Sequence, residues 1–381
     1  MYKEIQNILD KEIVRQKSTI ELIASENFAS QSVMDLCGSV FTNKYAEGLP
    51  GKRYYNGCQF MDEIEELAIE KLKLLYGCGF ANVQPHSGAN ANFAVFLALL
   101  NPGDTILGMD LASGGHLTHG ARVNVSGKWF NTVSYGVDDR GFLSYGKIYD
   151  LAQEHKPKLI IAGASAYPRQ IDWKIFKNIA DSVGAYLMVD MAHYSGLIAG
   201  GCYDSPIEIA DVVTSTTHKT LRGPRGGIIM WNDEGLSKKI NSAVFPGSQG
   251  GPLMNIIAAK AQCFSEVLED SFMHYAADVV MNAMGMADTF KSRGMTVQTD
   301  GTDSHIVLVN LSESKFSGRE AADILELNGI TVNKNGVPND KRSFVETSGI
   351  RIGTAAETTR GHDRDWFVDL SNRIADLLEY K

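Results

Sequence analysis

Short runs of apolar residues alternate along this chain with longer stretches in which apolar positions recur every three or four residues. Met61 to Tyr76 is of the longer kind. Ile64, Leu67, Ala68, Leu72 and Leu75 fall on one face of a helix, and Gly77 supplies a C-terminal stop. The short runs predict strands at 81–84, 105–109, 158–162, 185–189, 211–214 and 227–231, with helical patterns such as 173–183 between several of them. Strands apolar on both faces and separated by helices predict an α/β fold on a mostly parallel sheet, covered on both sides. After Pro252 the texture changes. A long helical stretch over 253–290 precedes a strand at 305–311, a helix at 318–329, short strands near Ile330 and Arg351, and a closing helix. The pattern predicts a smaller α+β C-terminal domain, dividing the chain into an N-terminal helical or extended segment (1–50), a large domain (51–270) and a small domain (271–381).

At 381 residues the chain is long enough to bury a full core. A net charge of −9 argues against a nucleic-acid partner, which needs a basic face to meet phosphates. The five cysteines form no CxxC pair, so neither a disulfide framework nor a structural zinc site is expected. The first residues carry charges throughout and lack the apolar core of a secretory signal. No apolar run is long enough to cross a bilayer, and the reduced cytoplasm is the expected compartment.

Four stretches carry candidate chemistry. "AYLMVDMAH" ends an apolar strand on Asp190, with His193 after it. Parallel sheets bind ligands at the carboxyl ends of their strands, although Asp190 read alone serves equally well as a helix cap. A functional Asp190 needs a cationic partner, and a protonated pyridine nitrogen is one, attracted by about 4 kcal/mol at about 4 Å and intermediate dielectric. "TSTTHKTLRGPRGG" places Lys219 in a loop between two strand-like segments, 29 positions after Asp190. Lysines are usually on the surface, but Arg222 and Arg225 lie close enough in sequence to lower this one's pKa and make its amine nucleophilic.

"HSGANAN" sits between a strand and an apolar helix, where the backbone N–H groups at Gly88 and Ala89 would form an anion cradle. "GGHLTHG" offers His116 and His119. No third ligand stands at motif spacing, so no metal is expected; His116 suits stacking on an aromatic ring, with a core histidine as the plain alternative. A pyridine partner, a Schiff-base lysine, a phosphate turn and a ring-stacker are together what pyridoxal 5′-phosphate requires of a protein.

Read together, these stretches resemble the serine hydroxymethyltransferase family. The resemblance runs from "LIASENF" and "TNKYAEGLPGKRYYNG" through "MDLASGGHLTHG", "AGASAYPR", "VDMAH" and "TTHKTLRGPRGG" to "NSAVFPGSQGGPLM", "TVNKN" and "SGIRIGTAAETTRG", over nearly the whole chain. It implies the fold-type I (aspartate aminotransferase-like) architecture. It also implies a homodimer with shared active sites, which in the family occurs alone or paired into a tetramer, the first 50 residues contributing to the interface.

The implied activity is reversible interconversion of L-serine and glycine, the one-carbon unit passing to tetrahydrofolate. Lys219 would carry pyridoxal phosphate as a Schiff base, Asp190 face the pyridine nitrogen and His116 stack on the ring. Ser165 and His193 would lie at the phenolic oxygen, with Thr216, His218 and Arg225 beside the cofactor. Gly88 and Ala89 would hold the phosphate, joined by Tyr45 and Gly251 of the second subunit. Arg351 would fork onto the substrate carboxylate, assisted by Ser25 and by Tyr55 of the second subunit. Glu47, also from that subunit, would serve the serine hydroxyl and the folate. Tyr54, Leu111, Gly115, Leu117 and Asn335 match folate-binding positions.

Where many members read "HSGSQAN" this chain has Ala89 and Asn90, which removes one phosphate hydrogen bond worth about 1–3 kcal/mol. Ser113, Gly336 and Ala355 also depart from the usual residues, and none of these positions carries a predicted catalytic role. The alternatives are a folate-independent aldolase of β-hydroxy amino acids, disfavoured by Glu47, Leu117 and Asn335, and a non-catalytic relative, which should have lost one of the reactive groups.

Overall fold

A computed structural model describes residues 2–380. Its centre is a seven-stranded sheet in the order Phe80–Asn82, Gly227–Trp231, Val212–Thr216, Tyr186–Asp190, Leu159–Ala162, Thr105–Met109, Asn131–Tyr135. All pairings are parallel except those of Gly227–Trp231, which runs against both its neighbours. Alternation along each strand sorts side chains into two cores. Leu107, Ile160, Leu187, Val189 and Val213 face one side, packed beneath helices Gln59–Tyr76, Trp173–Val183 and Met254–Val267. Ile106, Ile161, Met188 and Val212 face the other, against helices Gly88–Leu99 and Glu234–Ser242.

The predicted strands are all present, shifted by a residue or two at some ends. The seventh, Asn131–Tyr135, lies at the sheet edge with Asn131 and Ser134 exposed, so it lacks the apolar run that marks the others. The single helical stretch expected over 253–290 is two helices, Met254–Val267 and Asp270–Ser292. The chain breaks at Leu268 and Glu269 without Gly or Pro, Glu269 leaving the helical region at φ −80° and ψ 145°.

A four-stranded antiparallel sheet follows, in the order Thr296–Val297, Ile306–Asn310, Gly349–Gly353, Asn333–Asn335. Its core takes Val307, Val309, Ile350 and Ile352 from the strands and Phe367, Leu370 and Ile374 from the last helix, Arg364–Leu377. Helix Asp270–Ser292 serves both units: Phe272, Ala276 and Val279 join the large core, while Ala283, Met286 and Phe290 join the small one. The N-terminal strand Ile20–Glu21 pairs with Ile330–Thr331, and Leu22 is buried in the small unit's core. Helix Lys3–Ser18 before it buries no residue and exposes Ile5, Ile8, Leu9, Ile13 and Val14.

Candidate active site

At the carboxyl ends of the parallel strands lies a cavity of about 640 Å³. Asp190 ends its strand there, and Thr216 ends the next. The loop after Thr216 closes on itself, with Thr217 N–H donating to Gly226 O at 3.2 Å and Gly223 N–H to Thr217 O at 2.7 Å, and it turns Lys219 into the cavity. Helix Gly88–Leu99 opens on the same space. Its cap Ser87 accepts from Asn90 N–H at 3.2 Å, while Gly88 and Ala89 line the cavity. A Cβ at position 88 would lie 2.6 Å from Thr216 Cγ2, so a larger residue there would have to displace the Thr216 side chain.

Lys219 is 8% exposed. Burial pushes its amine down to about 8; Asp190 works the other way, and the charges of Arg351 and Arg225 add to the lowering. Arg225 therefore acts as the sequence suggests, but Arg222 does not: its guanidinium lies over the rings of Tyr275 and Phe272, 4.1 and 5.1 Å from their centroids. Burial alone would raise Asp190, but a hydrogen bond from His119 and the electrostatic pull of the His119, His116 and Lys219 side chains outweigh it and hold the carboxyl below its usual range. His116 lines the cavity, is pushed down to about 4 by burial, and accepts Thr118 N–H on Nδ1 at 3.2 Å.

Arg351 arrives from the small sheet, on strand Gly349–Gly353. Its Nε donates to Asn333 Oδ1 at 3.0 Å and one terminal nitrogen to Ser165 O, which aims the guanidinium at the cavity. Ser25, Ser165, His193, His218, Leu111, Gly115 and Leu117 line the same space. Asn335 does not: it borders a neighbouring small pocket with Ser113 and Gly336, its side chain donating to Gly336 O at 2.7 Å.

The remaining predicted residues gather elsewhere. Glu47 and Tyr54 border an open cleft with Phe245 and Gly250, and Tyr45 OH donates to Glu47 Oε1 at 3.4 Å. Tyr55 meets Tyr45 edge to face at 5.4 Å, and its phenol is raised chiefly by the Glu47 charge. A Cβ on Gly251 would lie 3.1 Å from the Tyr45 ring. None of these five lines the cavity that holds Lys219.

Three groups beside the cavity escaped the sequence reading. Asn92 is buried inside helix Gly88–Leu99, donating to Asp190 Oδ2 at 2.9 Å and Thr118 Oγ1 at 2.8 Å and accepting from Thr214 Oγ1 at 2.6 Å. His305 Nε2 lies 3.1 Å from Ala24 O and 3.3 Å from His193 Nδ1. The carbonyl only accepts, so His305 carries its proton on Nε2, and burial pushes the ring down to about 3. Asn92 is the last residue of "HSGANAN", one helical turn beyond the phosphate turn, and His305 directly precedes strand Ile306–Asn310; residue type alone marks neither as part of the site. Lys260 is the third, a buried lysine in an apolar helix.

Comparison with known proteins decides the family. A family model described as serine hydroxymethyltransferase matches residues 1–374. The chain belongs to the serine hydroxymethyltransferase family. It is 58% identical over 377 residues to "Serine hydroxymethyltransferase" of Wolbachia pipientis subsp. Culex pipiens (strain wPip), covering 99% of this chain and 89% of the relative. It is 58% identical over 378 residues to the protein of that name from Xanthomonas axonopodis pv. citri (strain 306), covering 99% and 91%. The Rickettsia akari (strain Hartford) protein of the same name is 57% identical over 378 residues.

Serine hydroxymethyltransferases are fold-type I transferases that depend on pyridoxal phosphate and interconvert serine and glycine with tetrahydrofolate. A folate-independent aldolase is not favoured. The cavity suits the cofactor: besides Lys219 and Asp190, it is lined by Thr216 and His218, whose buried Oγ1 and Nδ1 have no protein partner. Among the described residues, no helix is long and apolar enough to cross a membrane.

Proposed function

We propose that the Lys219 cavity and the Glu47 cluster are the two halves of one serine hydroxymethyltransferase site, brought together when two copies of the chain pair. The observation that carries this reading is their separation on one chain. Lys219, Asp190, His116, Gly88 and Arg351 line the cavity, while Tyr45, Glu47, Tyr55 and Gly251 pack on one another away from it. Exposed Tyr45 and Tyr55 and the bare apolar face of helix Lys3–Ser18 suit burial against a second copy.

Pyridoxal phosphate, when bound, draws electron density from the substrate's α-carbon. Lys219 would be its covalent attachment point, its amine held below the ordinary lysine range because burial disfavours the ammonium form. Asp190, ionised, would hold a proton on the pyridine nitrogen, and His116 would pack against the ring. His193 receives the His305 proton on Nδ1, so its Nε2–H is free to donate to the phenolic oxygen beside Ser165. Gly88 and Ala89 present backbone N–H groups to the phosphate, with Thr216, His218 and Arg225 alongside.

Arg351 and Ser25 bind the substrate carboxylate. Glu47 and Tyr55 of the second copy reach the same amino acid, Glu47 moving a proton at the serine hydroxyl. Leu111, Gly115 and Leu117 would form a partly apolar wall for the pteridine, to which Asn335 of the neighbouring pocket and Tyr54, beside Glu47 in its cleft, would add. Residence in the cytoplasm belongs to the same reading, supported by five unpaired cysteines.

Mixing two inactive variants tests the proposal. Lys219→Ala and Glu47→Gln damage different halves, so random re-pairing should restore about a quarter of the sites. Recovery of tetrahydrofolate-dependent glycine formation on mixing supports a shared site. Unchanged activity in Glu47→Gln alone removes Glu47 from the reaction.

A further inference from the structure

One buried charge has no part in the chemistry described so far. Lys260 sits within helix Met254–Val267 and is 1% exposed. Its Nζ donates to the backbone carbonyls of Val83 at 2.6 Å, Gly227 at 2.8 Å and Pro85 at 3.1 Å. A protonated amine has three donors and a neutral one has two, so three carbonyls are served in full only by the ammonium form. Burial nevertheless pushes Lys260 down to about 7. No carboxylate touches it. Glu65, the acid it feels, is engaged by Arg53 at 2.7 Å and by Gln84 at 2.7 Å. A buried cation without a counter-ion is costly to keep.

Its partners explain where that charge acts. Val83 and Pro85 lead directly into Ser87, the cap of helix Gly88–Leu99. Gly227 N–H donates to Pro85 O at 3.0 Å. Gly227 also packs flat on the turn, since a Cβ there would lie 2.2 Å from Ser87 O. Lys260 thus ties together the two segments that shape the cradle at Ser87, Gly88 and Ala89. Its charge is felt across the turn: it adds to the burial that lowers His86 and His218, the latter a cavity residue.

We propose that Lys260 is a positioning residue for the cofactor phosphate, fixing the cradle through three carbonyls and placing a buried positive charge behind it. The proposal rests on the reading of Gly88 and Ala89 as the phosphate holders.

The test compares pyridoxal phosphate with pyridoxal, which has the same ring and aldehyde but no phosphate. Dissociation constants for both are measured by visible absorbance on apoprotein of wild type, Lys260→Met and Lys260→Gln, with folding checked by circular dichroism. Wild type should prefer the phosphorylated form strongly; if it binds both alike, the phosphate-cradle reading itself fails. Both variants should lose about tenfold or more in affinity for pyridoxal phosphate, while pyridoxal binding stays within about twofold. Equal losses for the two ligands would assign Lys260 to packing alone and overturn the proposal, as would unchanged affinities. Failure of both variants to fold even with pyridoxal phosphate present would overturn it too.

Discussion

His119 Nε2 donates to Asp190 Oδ2 at 3.1 Å, and the backbone N–H of His116 donates to His119 Nδ1 at 3.3 Å. The second bond settles the first: a nitrogen that accepts carries no proton, so Nε2 must. Asn92 adds a donor to the same carboxylate oxygen, and Ala192 N–H reaches Oδ1 at 3.1 Å. Asp190 is therefore kept ionised by its own protein at the place where a pyridine nitrogen needs a negative neighbour.

Asp190→Asn keeps the shape and removes the charge. Turnover should fall by about 100-fold or more, the scale of losing one preorganised electrostatic group. Cofactor binding should weaken without loss of fold. Steady-state kinetics with a cofactor titration measures both, and a kcat near that of wild type would contradict the role.

Asn92→Ala removes a donor to Asp190 and leaves Thr214 without its acceptor inside a buried network. Stability should drop by about 1–3 kcal/mol. Asp190 has a depressed folded pKa, so its favourable charge is present at higher pH and lost as pH falls through that pKa. Thermal melting of Asn92→Ala against wild type reads the loss of stability, and an unchanged melting temperature would contradict it.

Lys219 should betray its pKa of about 8 in the rate at which apoprotein takes up pyridoxal phosphate. The rate should climb about tenfold per unit below that pH and level above it. The folded pKa lies below the ordinary 10.5, so apoprotein stability should also rise with pH between about 8 and 10.5. A rate still climbing past pH 10 would show an ordinary lysine.

Arg351→Lys keeps the charge and loses the fork. The serine KM should rise by about 10- to 100-fold with a smaller change in kcat, since a charge-assisted hydrogen bond is lost while the cofactor stays in place. An unchanged KM would remove Arg351 from carboxylate binding.

Much of this arrangement was legible in the sequence because burial leaves a periodic trace. Strands such as Thr105–Met109 and Gly227–Trp231 are buried on both faces and stand out as apolar runs. The edge strand Asn131–Tyr135 does not, and the break at Leu268 and Glu269 is set by packing on two separate cores rather than by a local stop signal. Lys219 and Asp190 could be found because their residue types are odd at strand ends. Asn92, His305 and Lys260 could not, because a polar residue inside a helix or at a strand start looks like surface until its neighbours are known. Arg222 shows the converse, since closeness in sequence to Lys219 suggested an electrostatic effect that the turn directs elsewhere.

The visible absorbance spectrum of the purified protein, followed by glycine and then tetrahydrofolate, tests the assignment of this site most directly. A yellow band that gives way to a strong band at longer wavelength only when both ligands are present is the expected result, and Lys219→Ala should lack the original band. A yellow band indifferent to tetrahydrofolate, or no band after adding pyridoxal phosphate, would contradict a folate-dependent site built on Lys219.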